Sequence, residues 1–509
     1  QLKAEDARVT GEPKEAVGHI RAFHHQLCTT RVLDPACGTG NFLYVSLELM
    51  KRLEGEVLET LAELGEMESI GFETVDPHQF LGLELNVRAA AIAELVLWIG
   101  YLQQHYRNSR EHPAEPILQS FTNINFGLRT NNGAPQKFDA VLTWDGFPED
   151  QFEIAGGTSV QVYPNARRPN WPEAEFIVGN PPFIGGKDIR DEHGSPYAVA
   201  LRKAHKAMND SADFVMYWWD YAADQMMRKK STVRRFGFVT TNSITQVFSR
   251  KAVARWLSAK KPLSLVYAIN DHPWRAGGKD VAVVRISMTV AAAGTQTGRL
   301  DTVVSERGIE TDDPEILVRS TTGTINPDLT VGADVTRATA MIANEGVSSP
   351  GVKLHGKGFI VSRAEAGQLG LGSRINLENY VREYRNGRDL TAKPRNKLVI
   401  DLFGLSEQEV RSRYPEIYQH LASTVRVARQ EGINNALEKG SDPTTDAYDY
   451  LEKWWLFGKP RPELRPALEG LSRYVVTVET AEHRFFQFLP QTVTPDNRLV
   501  CFASDDALT

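Results

Sequence analysis

With 509 residues the chain has room for two or three domains, and 41% hydrophobic residues supply enough core to exclude a disordered polyelectrolyte. A net charge of -6 excludes a chain that coats nucleic acid by bulk charge, so a DNA-binding face must gather its Lys and Arg locally. The longest apolar run, residues 89–102, is interrupted by Glu94 and is too short to span a membrane.

No signal-peptide pattern opens the chain. Cys28, Cys37 and Cys501 have neither a metal-ligand spacing nor a disulfide framework, so no metal is expected and a reducing cytoplasm fits. The chain starts at Gln1 and reaches its first strand early, as expected for a piece of a longer protein.

Residues 14–27 read as a helix with Ile20, Phe23 and Leu27 on one face, leading to a strand over 31–33. Then comes Asp34-Pro35-Ala36-Cys37-Gly38-Thr39-Gly40-Asn41-Phe42, a tight turn opening a helix near Asn41. Gly38 and Gly40 present no Cβ, so a ligand can lie against the backbone. The helix start adds unpaired N–H groups that favour a carboxylate or phosphate. Over residues 42–65, Leu43, Leu47, Met50, Leu53 and Val57 form a core-facing stripe.

The next strand is expected over 80–86, with Glu84 just past its end and Leu85 beside it, before a helix over 89–101. In doubly wound folds an acid there accepts hydrogen bonds from ribose hydroxyls; it also serves as a cap for the following helix. Further strands are expected at 122–127 and 138–143. The loop over 125–131 lies where such folds contact an adenine, without a decisive acid. Residues 146–170 read as a loop or insertion.

The second diagnostic stretch is a buried β run, 176–178, ending in Gly179-Asn180-Pro181-Pro182-Phe183. Two prolines forbid continuation as a central strand and stiffen the turn. In that frame the Asn180 side-chain oxygen and the Pro181 carbonyl can converge on one amino group, with the Phe183 ring beside them.

Downstream, 212–230 is a helix whose Tyr217, Trp218, Trp219 and Tyr221 read as core, followed by a solvated cluster of Lys229, Lys230, Arg234 and Arg235. Strands over 236–243, 263–270 and 281–290 complete an α/β sheet. Asp271 to Arg275 is expected as a loop, where His272 is either substrate-facing or structural. Residues 294–350 read as a linker with a small β element. Residues 351–430 hold 14 Lys and Arg against 8 Asp and Glu. There Arg382, Arg385, Arg388, Lys393, Arg395 and Lys397 interleave with Tyr380 and Tyr384, a spacing that suits phosphate contacts with base readout and equally an ordinary solvated face. Trp454, Trp455 and the proline-rich 458–466 form a packed turn before a strand over 474–478.

The Asp34–Phe42 string resembles motif I of the class I methyltransferases, and with Asn180–Phe183 downstream of it the chain resembles the γ-type amino-methyltransferases of DNA. Residues 30–44, 178–186, 271–274 and 468–474 resemble more closely the methyltransferases of bacterial anti-phage systems (type IIL restriction–modification, BREX and DISARM). The likeness runs from about residue 15 to the C-terminus, strong over the catalytic part and weaker beyond Gly294.

The resemblance implies a Rossmann-like α/β domain over 1–293 with helices on both faces, then a linker over 294–350. A mixed α+β target-recognition region over 351–509 would follow, in an order (cofactor motif, catalytic motif, recognition region) that this chain shares. It implies S-adenosylmethionine as cofactor, held by Asp34, Ala36, Gly38, Thr39, Gly40, Asn41, Phe42, Glu84 and Leu85. Asn180, Pro181, Pro182 and Phe183 would be catalytic, acting on adenine N6 of double-stranded DNA. Cytosine N4 is the nearest rival target, and a non-catalytic DNA-binding subunit or one dependent on other defence-system subunits is the rival class. Cys37 follows Ala36, not a proline, so cytosine C5 chemistry is rejected. No nuclease signature is visible.

Overall fold

The computed structural model describes residues 13–65, 73–108, 122–125, 137–146, 151–155, 158–274, 284–309, 311, 314–339, 341–438, 443–481 and 483–506. Arg275 and the loop beyond Asn125 lie outside these. The chain divides into two compact units, Gln1–Ala338 and Thr339–Thr509.

The first unit is built on an eight-stranded sheet in the order β10-β9-β7-β8-β6-β5-β1-β2. The strands are β1 (Val32–Asp34), β2 (Phe80–Gly82), β5 (Phe176–Gly179), β6 (Arg235–Thr241), β7 (Leu263–Trp274), β8 (Val284–Ala293), β9 (Gly298–Arg307) and β10 (Glu315–Gly323). A small hairpin, β3 (Gln151–Ala155) and β4 (Thr158–Val162), lies in the 146–170 insertion. β2, β1, β5 and β6 are parallel; β8 is inserted antiparallel between β6 and β7.

The central strands are short and apolar because both faces are covered, and side chains alternate between the two helical layers. Val32, Phe80, Phe176 and Val178 face α2 (Asn41–Glu63) and α3 (Val87–Asn108) through Leu43, Leu47, Ala93 and Leu97. Leu33, Leu81 and Ile177 face the opposite layer, where α6 (Val215–Met227) contributes Tyr217, Trp218, Trp219 and Tyr221, all buried as expected. Among the described residues, the other α-helices of this unit are α1 (Pro13–Thr29), α4 (Ile189–His193), α5 (Ser195–Ala204) and α7 (Val247–Leu257). The chain moves outward from β1 to β2 and returns to β1's other side as β5. This reversal opens a crevice above the carboxyl ends of β1 and β5, where doubly wound sheets bind ligands.

Four expectations are corrected. Of the strand expected at 122–127, the described residues 122–125 form only an isolated parallel bridge, Ile124 to Gly82. Residues 138–142 are irregular and bent, because the Asp139 carboxylate accepts from the Val141 and Leu142 amides (2.9 and 3.0 Å) and pulls the backbone out of strand geometry; only Thr143 makes a bridge, to Arg167. Residues 271–274 continue β7: a bulge between Ile269 and His272, with Asp271 at φ 56°, lets the pairing to β8 resume at His272↔Ile286. Residues 298–323, expected in a linker with a small β element, instead extend the large sheet, as β9 parallel to β7 and β10 antiparallel to β9. Their Thr- and Val-rich composition suits strand as well as linker, and the free edge of β7 decides. Asp301, buried there, is satisfied by Arg299, Tyr267 and Ser320.

The second unit holds two four-stranded sheets, β11-β18-β15-β16 and β12-β14-β13-β17, and several short helices. Its strands are β11 (Ser348–Pro350), β12 (Ile360–Val361), β13 (Val381–Arg385), β14 (Leu398–Ile400), β15 (Arg473–Val478), β16 (Gln487–Pro490), β17 (Val493–Pro495) and β18 (Leu499–Phe502). Phe359, Ile400, Tyr414 and Trp454 share one core.

Candidate active site

The turn after β1 is held from three sides. The Asp34 carboxylate accepts from the Ala36 amide (3.0 Å), the Cys37 amide donates to the Leu83 carbonyl (3.1 Å), and the Trp218 indole donates to the Pro35 carbonyl (2.9 Å). Gly38 and Gly40 sit at φ 53° and 87°, a region costly for side-chain-bearing residues. Gly38 has no neighbouring atom in the direction a Cβ would take, whereas at Gly40 the Ala93 backbone would stand 3.1 Å away. One glycine opens the loop and the other lets α2 lie close to α3. Gly40 caps α2 with no side-chain hydrogen bond, so the amides at Asn41 and Phe42 have no side-chain cap.

Glu84 spans the crevice wall. One carboxylate oxygen accepts from the Gly38 amide (2.8 Å) and the other from the Asn86 amide (2.7 Å). Two lone-pair positions remain for a ligand's hydroxyls. The cap of the following helix is Asn86, whose side-chain oxygen accepts from the Arg88 and Ala89 amides (3.0 and 3.2 Å), while Glu84 braces the Asn86 amide and the glycine turn. Leu85 is exposed beside it.

Asn125 is a residue that sequence reading did not single out. It is fully buried at φ 52°, and its side chain takes the Glu84 amide (2.7 Å) and gives to the Glu84 carbonyl (2.8 Å). Its only sequence signal is its residue type, since Asn tolerates positive φ better than most residues.

Across the crevice, β5 delivers Asn180 next to this loop. Gly179 packs so tightly on β1 that a Cβ there would lie 2.6 Å from the Asp34 carboxylate oxygen. The Asn180 side-chain oxygen is buried and has no hydrogen-bond partner among the described residues. Pro181 is buried, Pro182 exposed, and Phe183 half-buried against the core. The turn is braced from below: the Phe214 amide donates to the Ile184 carbonyl (2.8 Å), and Asp213 accepts from Thr241 and Ser243 hydroxyls at the end of β6 (2.7 and 2.8 Å).

Burial pushes the Asp34 carboxyl up to about 7, with the nearby Glu84 charge adding to it and the Ala36 amide opposing. Burial likewise raises the Cys37 thiol well above its ordinary value, so it is no nucleophile. The sequence-derived groups 34–42, 84–85 and 180–183 therefore meet at one crevice. His272, whose buried Nδ1 has no hydrogen-bond partner among the described residues, sits on the β7 extension at the same edge of the sheet.

The basic stretch belongs to the second unit and is less uniform than its spacing implies. Arg395 is bound to Asp389 through two hydrogen bonds (2.9 and 2.7 Å), and Arg385 is paired with Glu383. Arg382 donates to the Asn379 carbonyl and Tyr384 is buried, bonded to Asp496. Arg388 and Lys393 are exposed and form no ion pair among the described residues, and Lys397 is half-buried.

A Rossmann-like sheet whose switch point joins a glycine turn, an acid and an Asn-Pro-Pro-Phe turn defines the methyltransferase class. Residues 9–300 match the family model "MmeI, DNA-methyltransferase domain", and the chain belongs to that family. It is 26% identical over 309 residues to DNA methyltransferase A of Bacillus subtilis (strain 168), a match spanning 60% of this chain and 30% of that protein. The type IIL restriction-modification enzyme MmeI, solved in complex with DNA, superposes over 99% of this chain and 60% of its own, with a TM-score of 0.62 and 19% identity. The chain thus spans less than two thirds of the length of either relative.

Proposed function

We propose that the chain transfers a methyl group from S-adenosylmethionine to the exocyclic N6 of an adenine flipped out of double-stranded DNA. The observation that carries this reading is the buried, unpartnered Asn180 oxygen in a proline-stiffened turn across from the glycine loop. A buried acceptor without a partner costs about 1–3 kcal/mol, a cost that a substrate N–H would relieve.

The residues present fit the cofactor. The amides at the uncapped start of α2 and the open backbone at Gly38 and Thr39 suit its carboxylate end, while Glu84 and Leu85 would hold its ribose side. Asp34 and Ala36 keep the turn in shape from beneath. The bound cofactor supplies an electrophilic methyl on a sulfonium.

An adenine amino group is a weak nucleophile because its lone pair is delocalised into the ring. Hydrogen bonds from that amino group to the Asn180 oxygen and the Pro181 carbonyl localise the pair on nitrogen and aim it along the transfer line. Phe183 offers a ring face to the flipped base, and Pro182 keeps the turn from relaxing. Positioning and electrostatics suffice; no enzyme-linked intermediate is needed. The second unit then serves as the DNA-recognition part, with Arg388 and Lys393 the most available phosphate partners. In a cell this activity would mark host DNA as self within a restriction–modification type of defence, alone or with further subunits, in the cytoplasm.

The test is transfer of labelled methyl from S-adenosylmethionine to unmodified bacterial DNA, followed by digestion to nucleosides. N6-methyladenine is the expected product. N4-methylcytosine would keep the mechanism and replace the target base, and DNA binding without any product would replace the reading with a binding subunit.

A further inference from the structure

On the far side of α2 from its loop-bearing end, His24 and Cys28 stand one turn apart on α1 and face Glu54 of α2. His24 and Glu54 are buried and Cys28 is half-buried. We propose that these three side chains form a binding site for a soft divalent cation, Zn²⁺ being the natural occupant.

The argument is geometric. His24 Nε2 lies 3.4 Å from Glu54 Oε1 and 3.6 Å from Cys28 Sγ, and Cys28 Sγ lies 3.9 Å from Glu54 Oε1. Zn–N, Zn–O and Zn–S bonds of about 2.05, 2.1 and 2.3 Å at tetrahedral angles place N···O at about 3.4 Å and both S···N and S···O at about 3.6 Å. The triangle matches a tetrahedral face to within a few tenths of an ångström. It is too open for charge-assisted hydrogen bonding between imidazole and carboxylate, which prefers about 2.7–2.9 Å. The surrounding bonds hold the carboxylate in this orientation. The Lys51 ammonium donates to the other oxygen, Oε2, at 2.5 Å, and the Val75 amide fixes Oε1 at 2.8 Å. Half-exposed Cys28 leaves access for a water as fourth ligand.

A bound divalent ion supplies the positive charge that makes the Cys28 thiolate favourable. Spacing alone hides the site because the third ligand comes from a second helix. Its consequence is mechanical: it pins α1 to α2, the helix whose start forms the floor of the candidate cofactor loop.

The full chain, dialysed against a chelator, is titrated with Zn²⁺ against a chromophoric competitor and, separately, with Co²⁺. The expected result is one ion per chain and a thiolate-to-cobalt charge-transfer band. Cys28→Ser should abolish the band, and both Cys28→Ser and His24→Gln should weaken zinc binding by about tenfold or more, with circular dichroism confirming that the variants are folded. Absence of the band in the parent chain overturns the site, as does equal zinc affinity in the parent and either variant. Neither readout depends on methyl transfer.

Discussion

The crevice of the first unit and the basic stretch of the second carry their chemistry in different ways. In the crevice several residues are confined by their neighbours to one arrangement. Gly179 has no room for a Cβ against Asp34, and Asn125 clamps Glu84 from both backbone sides. In the basic stretch several cations are already spent on acids or carbonyls, as Arg395 is on Asp389 and Arg382 on Asn379. A motif whose neighbours fit it tightly is therefore sensitive to one atom, whereas a charged surface is altered by degrees.

The largest departure should come at the tight contact. Gly179→Ala places a methyl against the Asp34 carboxylate and should cost about 1–3 kcal/mol of stability, together with a clear loss of S-adenosylmethionine affinity. Thermal unfolding and calorimetric titration check it, and unchanged values for both would break the contrast between the two regions.

Single changes on the basic surface should be milder. Arg388→Ala and Lys393→Ala should each lower DNA affinity across all sequences and reduce the log–log salt slope by about one. S-adenosylmethionine binding should stay at the parent value. Arg395→Ala should instead act through folding, since it strands the carboxylate of Asp389, which Arg395 and the backbone amides hold down to about 2.

A separate effect is on pH. Because Asp34 binds its proton more tightly folded than unfolded, its contribution to stability falls as pH rises from its ordinary 3.8 towards about 7. Denaturant melts of Asp34→Asn should lack that part of the slope. A slope identical to the parent's would mean that Asp34 is solvated in the folded chain.

What could be read from the sequence follows the same division. Residues 34–42 and 180–183 are legible because ligand approach and a rigid turn need contiguous glycines and prolines. The alternation of Val32 and Leu33 between two cores marks buried parallel strands in a similarly local way. The bonds that Asn125, Asp213 and Trp218 make are not legible, since each reaches a backbone or side-chain partner distant in sequence. A small β element was expected within 294–350, but that residues 298–323 join the large sheet was hidden for a related reason: it depends on another strand, β7, leaving an edge free. The basic residues were visible as charge, but their ion partners depend on how Glu383 and Asp389 fold back on them.

The central claim is that the unpartnered Asn180 oxygen receives the target amino group. Single-turnover methyl transfer to DNA, compared for Asn180→Ala and Asn180→Asp at saturating S-adenosylmethionine, tests it most directly. Asn180→Ala should lose about 100-fold or more in rate while binding the cofactor as the parent does. Asn180→Asp, which keeps an acceptor oxygen in place, should retain measurable transfer above the alanine variant. Rates for Asn180→Ala equal to the parent's would contradict the account.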